Sequence, residues 1–303
     1  MRSGAHNRRA DDICRFSPIK PRIRRFSRVL ILLTLGFSFQ SFAVVTELTP
    51  AKDNTLYEPL PPFNPDSAEA NKSNGAGDYL FAGRANTMNN GLRHRALIQF
   101  DVAAALPAGA TINNVSLRLY LSQTTTTPVI TTDVSLHRVT HDWGEGASDA
   151  SGQEGGGANA EPGDATWLHT FFNTGFWQQP GGDIVPTPSS LTPVADRNLF
   201  YIWSAPGMVA DVQFWVDNPA QNFGWLLLGD ESTVATAKRF DSADSFSFDI
   251  ETGQRTIPIL AVDFTPVPEP RIIVLLLPGL GCLLFRAGRE RLRKFAPKTN
   301  CHE

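Results

Sequence analysis

The chain has 303 residues, with 27 basic and 30 acidic side chains and three cysteines. Residues 1–43 hold nine of the basic and two of the acidic residues, and residues 269–303 hold seven and three, which leaves 11 basic against 25 acidic between them. The resulting net charge of −14 argues against a nucleic-acid partner, which must be met with cationic groups, and disfavours strongly anionic polysaccharides. Cys14, Cys282 and Cys301 all lie outside that middle region, so neither disulfides nor thiolate chemistry is available to it.

At the N-terminal end, Arg22, Arg24, Arg25 and Arg28 precede the apolar stretch 29–39. Ser41 and Ala43 place small residues at the two positions that a signal peptidase reads. The pattern predicts a secretory signal peptide over residues 1–43, cut after Ala43. The 21 residues ahead of Arg22 are long for the first part of such a signal, as expected if translation starts further along. The next 223 residues, 44–266, can bury a core without staples, and one domain is expected.

Within that region Val115, Leu117, Leu119 and Leu121 alternate with Ser116, Arg118 and Tyr120, the period of a strand with one wet face. Similar runs occur at 79–82, 95–101, 134–139, 199–203, 223–228 and 257–264. Turn residues such as Leu106-Pro107-Ala108-Gly109 separate them. Three polar insertions, 124–128, the Gly-rich 144–164, and 180–193, are expected to form loops at the ends of the fold without packing a core. One helix is predicted over 207–217, with Val209, Val212 and Val216 on one face and Asn218-Pro219 ending it. Many short strands with one short helix predict an all-β fold, a single jelly-roll-like β-sandwich.

Nothing in this region assembles into a catalytic pattern. There is no Gly-x-Ser-x-Gly elbow, and Gly155-Gly156-Gly157 lacks the Lys and Ser/Thr of a phosphate loop. Glu145, Glu154 and Glu161 lie in a stretch too rich in glycine to fix a separation between paired acids. His137 and His141, four residues apart on a strand, would sit about 13 Å apart, too far for one ion. A non-enzymatic protein without a required cofactor is expected. Binding is the more credible activity, because Trp143, Trp167 and Trp177 lie near the long insertions. Exposed rings could stack on a neutral sugar while Asp142 and Glu145 accept from its hydroxyls. Packing inside the core is the competing reading of the same rings, and it would favour a structural or adhesive protein. Asp53, Asp241 and Asp244 are the candidate carboxylates for a structural calcium ion, with ordinary solvated acids as the alternative.

The C-terminal 37 residues, 267–303, form a three-part tail. Val267-Pro268-Glu269-Pro270-Arg271 is held extended by its prolines, an apolar segment of 14 residues follows at 272–285, and a basic stretch runs over 286–303. As a helix the apolar segment would span about 21 Å against a hydrocarbon core of about 30 Å, which suits transient insertion. The basic stretch would stay on the cytoplasmic side. This order resembles the PEP-CTERM sorting signal, whose recognition element here is Val267, Pro268, Glu269 and Pro270. The family usually places a small residue where this chain has Arg271. The resemblance implies a membrane transpeptidase of the exosortase type as partner, after signal peptidase. It also implies delivery through the inner membrane of a Gram-negative bacterium to the cell surface or extracellular matrix. A plain membrane anchor is the alternative.

The middle region carries a second resemblance, to the DNRLRE domain, a secreted β-sandwich module. It rests on Asp53-Asn54-Thr55-Leu56-Tyr57, Arg95-Ala96-Leu97-Ile98-Gln99-Phe100-Asp101, Leu106-Pro107-Ala108-Gly109, Leu117-Arg118-Leu119-Tyr120, His141-Asp142-Trp143-Gly144-Glu145, Asn222-Phe223-Gly224-Trp225 and Arg239-Phe240-Asp241-Ser242. Ala243-Asp244 stands where the family usually has Arg-Glu. The resemblance implies a module found among carbohydrate-binding proteins and lone surface proteins, and so association with a neutral exopolysaccharide.

Overall fold

Residues 42–267, apart from 63, 126 and 127, are described by a computed structural model. The first strands are β1 (Val44–Leu48), β2 (Lys52–Tyr57), β3 (Lys72–Ser73), β4 (Tyr79–Arg84) and β5 (Arg93–Gln99). One helical turn, α1 (Val102–Ala105), leads into the long β6 (Thr111–Gln123) and then β7 (Thr132–Arg138). The short β8 (Ala158–Asn159), β9 (His169–Phe171) and β10 (Gly175–Phe176) precede β11 (Ser190–Val194) and β12 (Leu199–Trp203). Helix α2 (Pro206–Asp217) is followed by β13 (Trp225–Leu228), β14 (Lys238–Asp241) and β15 (Ile259–Thr265). The fold is all-β, and each of the predicted runs forms a strand.

The strands make two groups. In the first, Arg118 of β6 pairs with Ile202 of β12 on one side and Ile259 of β15 on the other. β14 follows β15 along the same side of β6, while β1 extends β15 and β4 extends β14. The second group runs β2–β5–β13–β7–β11. Alternate residues of both groups meet in one core, among them Leu117, Leu119 and Leu121 of β6, Ala96 and Ile98 of β5, and Trp225 and Leu227 of β13. Helix α2 adds Met208, Val212, Trp215 and Val216, with the rings of Trp215 and Trp225 at 4.5 Å. Val209 is only half-buried, so the buried face is turned slightly from the predicted one. The helix ends at Asn218, as proline at the next position requires.

Strand β4 joins the two groups. Residues 79–82 pair with β14, and then Gly83 and Arg84 pair with β5. Strands that change sheets need a bend, and Gly83 supplies it with φ of +112°. A Cβ there would lie 3.0 Å from the Thr236 carbonyl oxygen. Replacing Gly83 with alanine is therefore expected to cost about 1–3 kcal/mol and to lower Tm by several degrees in calorimetry.

The predicted insertions themselves contribute little to either core, with Ile184 partly buried against the second one, but the residues that flank them do. Residues 144–164 and 180–193 include β8 and part of β11, and the flanking Trp143, Ala165, Trp167 and Trp177 cover the outer face of the second strand group. The reason is that this sheet is apolar on both faces. Leu97 alternates with Ala96 and Ile98, and Leu226 with Trp225 and Leu227, so the outward set also needs burial. Strands β2 and β14, which escape the alternation pattern, are polar in sequence but buried along nearly their whole length.

Candidate functional site

The sequence placed its candidate residues around the insertion that follows β7, and the structure shows what that insertion does. Leu56, Leu97, Leu226 and Val139 present an apolar surface that Trp143, Ala165, Trp167 and Trp177 cover, forming a second core. Trp143 is 0% exposed, Trp167 4% and Trp177 5%. The indole nitrogens of Trp143 and Trp177 donate to the carbonyls of Phe223 and Thr166, each at 2.9 Å. Cations cap this core at its rim: Lys52 Nζ lies 4.4 Å from the Trp143 ring centroid, and the Arg95 guanidinium lies 4.8 Å from that of Trp167. All three rings are thus buried, the arrangement that the competing reading of core packing expects, although Trp167 also lines a small cavity with Glu58, Pro59, Pro61 and Pro180.

Backbone geometry locks this layer down. Gly144 and Gly146 sit where no side chain fits, since a Cβ would come within 1.7 Å of the Gly163 carbonyl oxygen and within 1.5 Å of Asp164 Oδ1, respectively. Asn54 of β2, fully buried, uses both ends of its amide. Its Nδ2 donates to the Glu145 carbonyl at 2.7 Å, while Oδ1 accepts from Thr55 N at 2.6 Å, Ser73 Oγ at 2.9 Å and Asn74 N at 3.0 Å. Asn74 in turn donates to Glu154 Oε2 at 2.8 Å and accepts from Ala150 N at 3.0 Å. The Glu154 carboxylate also accepts from the backbone N–H groups of Asp78 and Tyr79. Sequence reasoning passed over Asn54, Asn74 and Glu154 as site residues. Their only signal was polar side chains within or beside runs of strand length, which becomes meaningful once both faces of the sheet are seen to be covered.

The acids proposed to contact a sugar have other partners. Asp142 is paired with Lys52 at 2.9 Å and accepts from the Trp143 N–H at 2.9 Å. Glu145 Oε1 accepts from Asp53 N at 2.8 Å. Of the calcium candidates, Asp53 and Asp244 lie near each other and near Glu145, whereas Asp241 faces Ser122, Thr256 and Arg239. Among the described residues no group of three or more histidine, cysteine or carboxylate side chains is placed to hold a metal ion. His137 bonds the Val185 carbonyl and Ser135 Oγ, while His141 pairs with Asp183.

Asp53 is the most perturbed of these groups. Its Oδ2 accepts from Ala243 N at 2.8 Å, but Oδ1 is buried without a partner. Burial, with a smaller contribution from the charges of Glu145 and Asp244, raises its pKa from 3.8 to about 8. Burial also pushes Glu145 upward, helped by Asp244. No protein-family model matches the chain, and no curated protein matches it.

At neutral pH the Asp53 carboxyl is therefore mostly protonated in the folded protein and ionised in the unfolded chain. Its contribution to stability is full below pH 3.8 and declines as pH rises toward about 8. Asp53→Asn should flatten that decline, so the gap in urea midpoint between variant and wild type should move in the variant's favour between about pH 5 and pH 8. A gap independent of pH would contradict the assignment. Asn54→Ala should lower stability by about 2–3 kcal/mol in the same assay, because it strands buried backbone donors and acceptors on both sides of the layer.

Proposed function

We propose that this chain is an exported cell-surface or extracellular-matrix protein without enzymatic activity. Signal peptidase releases it after Ala43, and an exosortase-type transpeptidase sorts it through Val267, Pro268, Glu269 and Pro270 after transient insertion in the inner membrane of a Gram-negative bacterium. Pro268, Glu269 and Pro270 lie outside the described residues. The domain between the signals is a jelly-roll-like sandwich of the DNRLRE type, and its role is structural or adhesive.

The observation that carries this reading is the pairing of the first and last strands. β1 begins at Val44, directly after the predicted signal cleavage, and Val44 lies opposite Phe264 in an antiparallel pair with β15. The core ends there too, with Phe264 its last member and Val267 exposed three residues on. Both processing positions therefore leave the fold from the same end of one strand pair, and neither cut removes a residue that the core uses. Among the described residues no helix is long and apolar enough to cross a membrane. The buried rings of Trp143, Trp167 and Trp177 favour the structural or adhesive role over capture of a neutral exopolysaccharide.

Intact mass measured on protein from native cells, with and without the host transpeptidase, tests the reading. A chain starting at Val44 and ending near Pro268–Arg271, with that end lost when the enzyme is deleted, is the expected result. A mass that still includes Cys301, recovered from the inner membrane under both conditions, would make the tail a permanent anchor and end the sorting reading.

A further inference from the structure

Between β14 and β15 the chain folds into a small hairpin of its own. Asp249 N donates to the Gln254 carbonyl at 2.8 Å and Thr256 N to the Ser247 carbonyl at 3.2 Å, with Phe248 directly opposite Arg255. Asp249 Oδ1 closes the turn by accepting from Thr252 N at 2.8 Å and from Thr252 Oγ1 at 2.6 Å. Arg118, which points outward between the core residues Leu117 and Leu119 of β6, ties the hairpin to the first strand group by donating to Gln254 Oε1 at 3.2 Å.

The first arm of this hairpin is turned the wrong way round for an ordinary surface. Ser245 and Asp249 are buried, whereas Phe246, Phe248 and Ile250 at the alternate positions are 83%, 59% and 98% exposed. At about 200 Å² for each fully exposed side chain, the three present roughly 450 Å², the size of patch that marks an interaction surface. Ile202 of β12, opposite Arg118 and also exposed, lies beside them. Residues opposite each other in an antiparallel pair share a face, so Arg255 stands with Phe248, and its guanidinium lies 6.0 Å from the Phe246 ring centroid. Glu251 is exposed at the turn. Among the described residues neither Arg255 nor Glu251 forms a salt bridge within the chain. The hairpin thus carries a cation toward its base, an anion at its tip and three apolar side chains between them.

We propose that this hairpin is the contact surface for a second copy of the chain, paired antiparallel about a two-fold axis at Phe248. Laid tip to base, two such faces put each Phe246 against the other copy's Ile250, and each Arg255 against the other copy's Glu251. A face with opposite charges at its two ends is complementary to its own two-fold image, as an isologous contact requires. The closed turn holds the face in place beforehand, so little order is lost on pairing. The three side chains of both copies together bury at most about 900 Å², below the roughly 1,200 Å² of stable specific complexes, so the dimer is weak and reversible. A lipid surface suits the face less well, because a domain with 25 acidic against 11 basic residues is repelled by anionic headgroups. The inference is independent of the sorting reading, since every residue in it lies in the folded domain.

Residues 44–267 contain every member of both cores, and their sedimentation velocity tests the proposal. Monomer should give way to dimer between about 5 and 500 µM. Phe248→Asp should weaken self-association by at least about tenfold. Its Tm should not fall, because Phe248 belongs to neither core. Glu251→Arg and Arg255→Glu should each weaken self-association by about fivefold or more. An equimolar mixture of those two variants should recover a dimer as tight as the wild type, since each copy then meets the opposite charge at both ends. A chain that stays monomeric throughout that range, a dimer that survives Phe248→Asp, or a mixture no tighter than either variant alone would each overturn the proposal. Monomer captured by phosphatidylcholine vesicles would assign the face to a lipid surface and overturn it as well.

Discussion

Everything distinctive about this fold depends on burying the second strand group on both faces. One face joins the main core through Ala96, Ile98, Trp225 and Leu227, and the other presents Leu56, Leu97 and Leu226. Leaving those outer leucines in water would forgo about 1.5–3 kcal/mol for each. The long insertion after β7 therefore becomes a second layer. It can do so despite its glycines, because Gly144 and Gly146 are where backbone must approach backbone or a carboxylate too closely for any side chain.

The charged residues follow from the same constraint. Carboxylates that might have faced a ligand are turned inward to satisfy the backbone of the layer. Glu154 accepts from Asn74, Asp78 and Tyr79, and Asp164 accepts from Glu161 N at 2.6 Å. A chain without cysteine in its folded region holds such loops through buried amides and carboxylates instead of disulfides. The cost is concentrated at Asp53, whose second oxygen has no donor.

The corner at Gly83 has a separate consequence. Because β4 leaves β14 to reach β5, the strand groups diverge there, and the gap is walled by side chains from both, with His94 from one and Arg239 from the other. At the other extreme of the chain order, β1 and β15 close the fold against each other, so its two ends emerge side by side. The cavity is thus formed by residues with no role in bringing the chain ends together.

The sequence by itself determined the all-β class, the strands with clean alternation and helix α2 with its stop. Those signals are local: period two, period 3.6 and a proline that forbids continuation. It could not determine the strands built on buried polar residues. Lys52, Asp53 and Asn54 show no apolar alternation in sequence, and only tertiary contacts supply Trp143, Ala243 and Glu145 as their partners. The tryptophans were ambiguous for the same reason, since a ring beside a glycine-rich loop is exposed or buried according to what lies across from it. Only the folded structure, by placing Leu56, Leu97 and Leu226 opposite those rings, decided that Trp143, Trp167 and Trp177 are core, and only it brought Arg239 and His94 to one cavity from positions 145 residues apart.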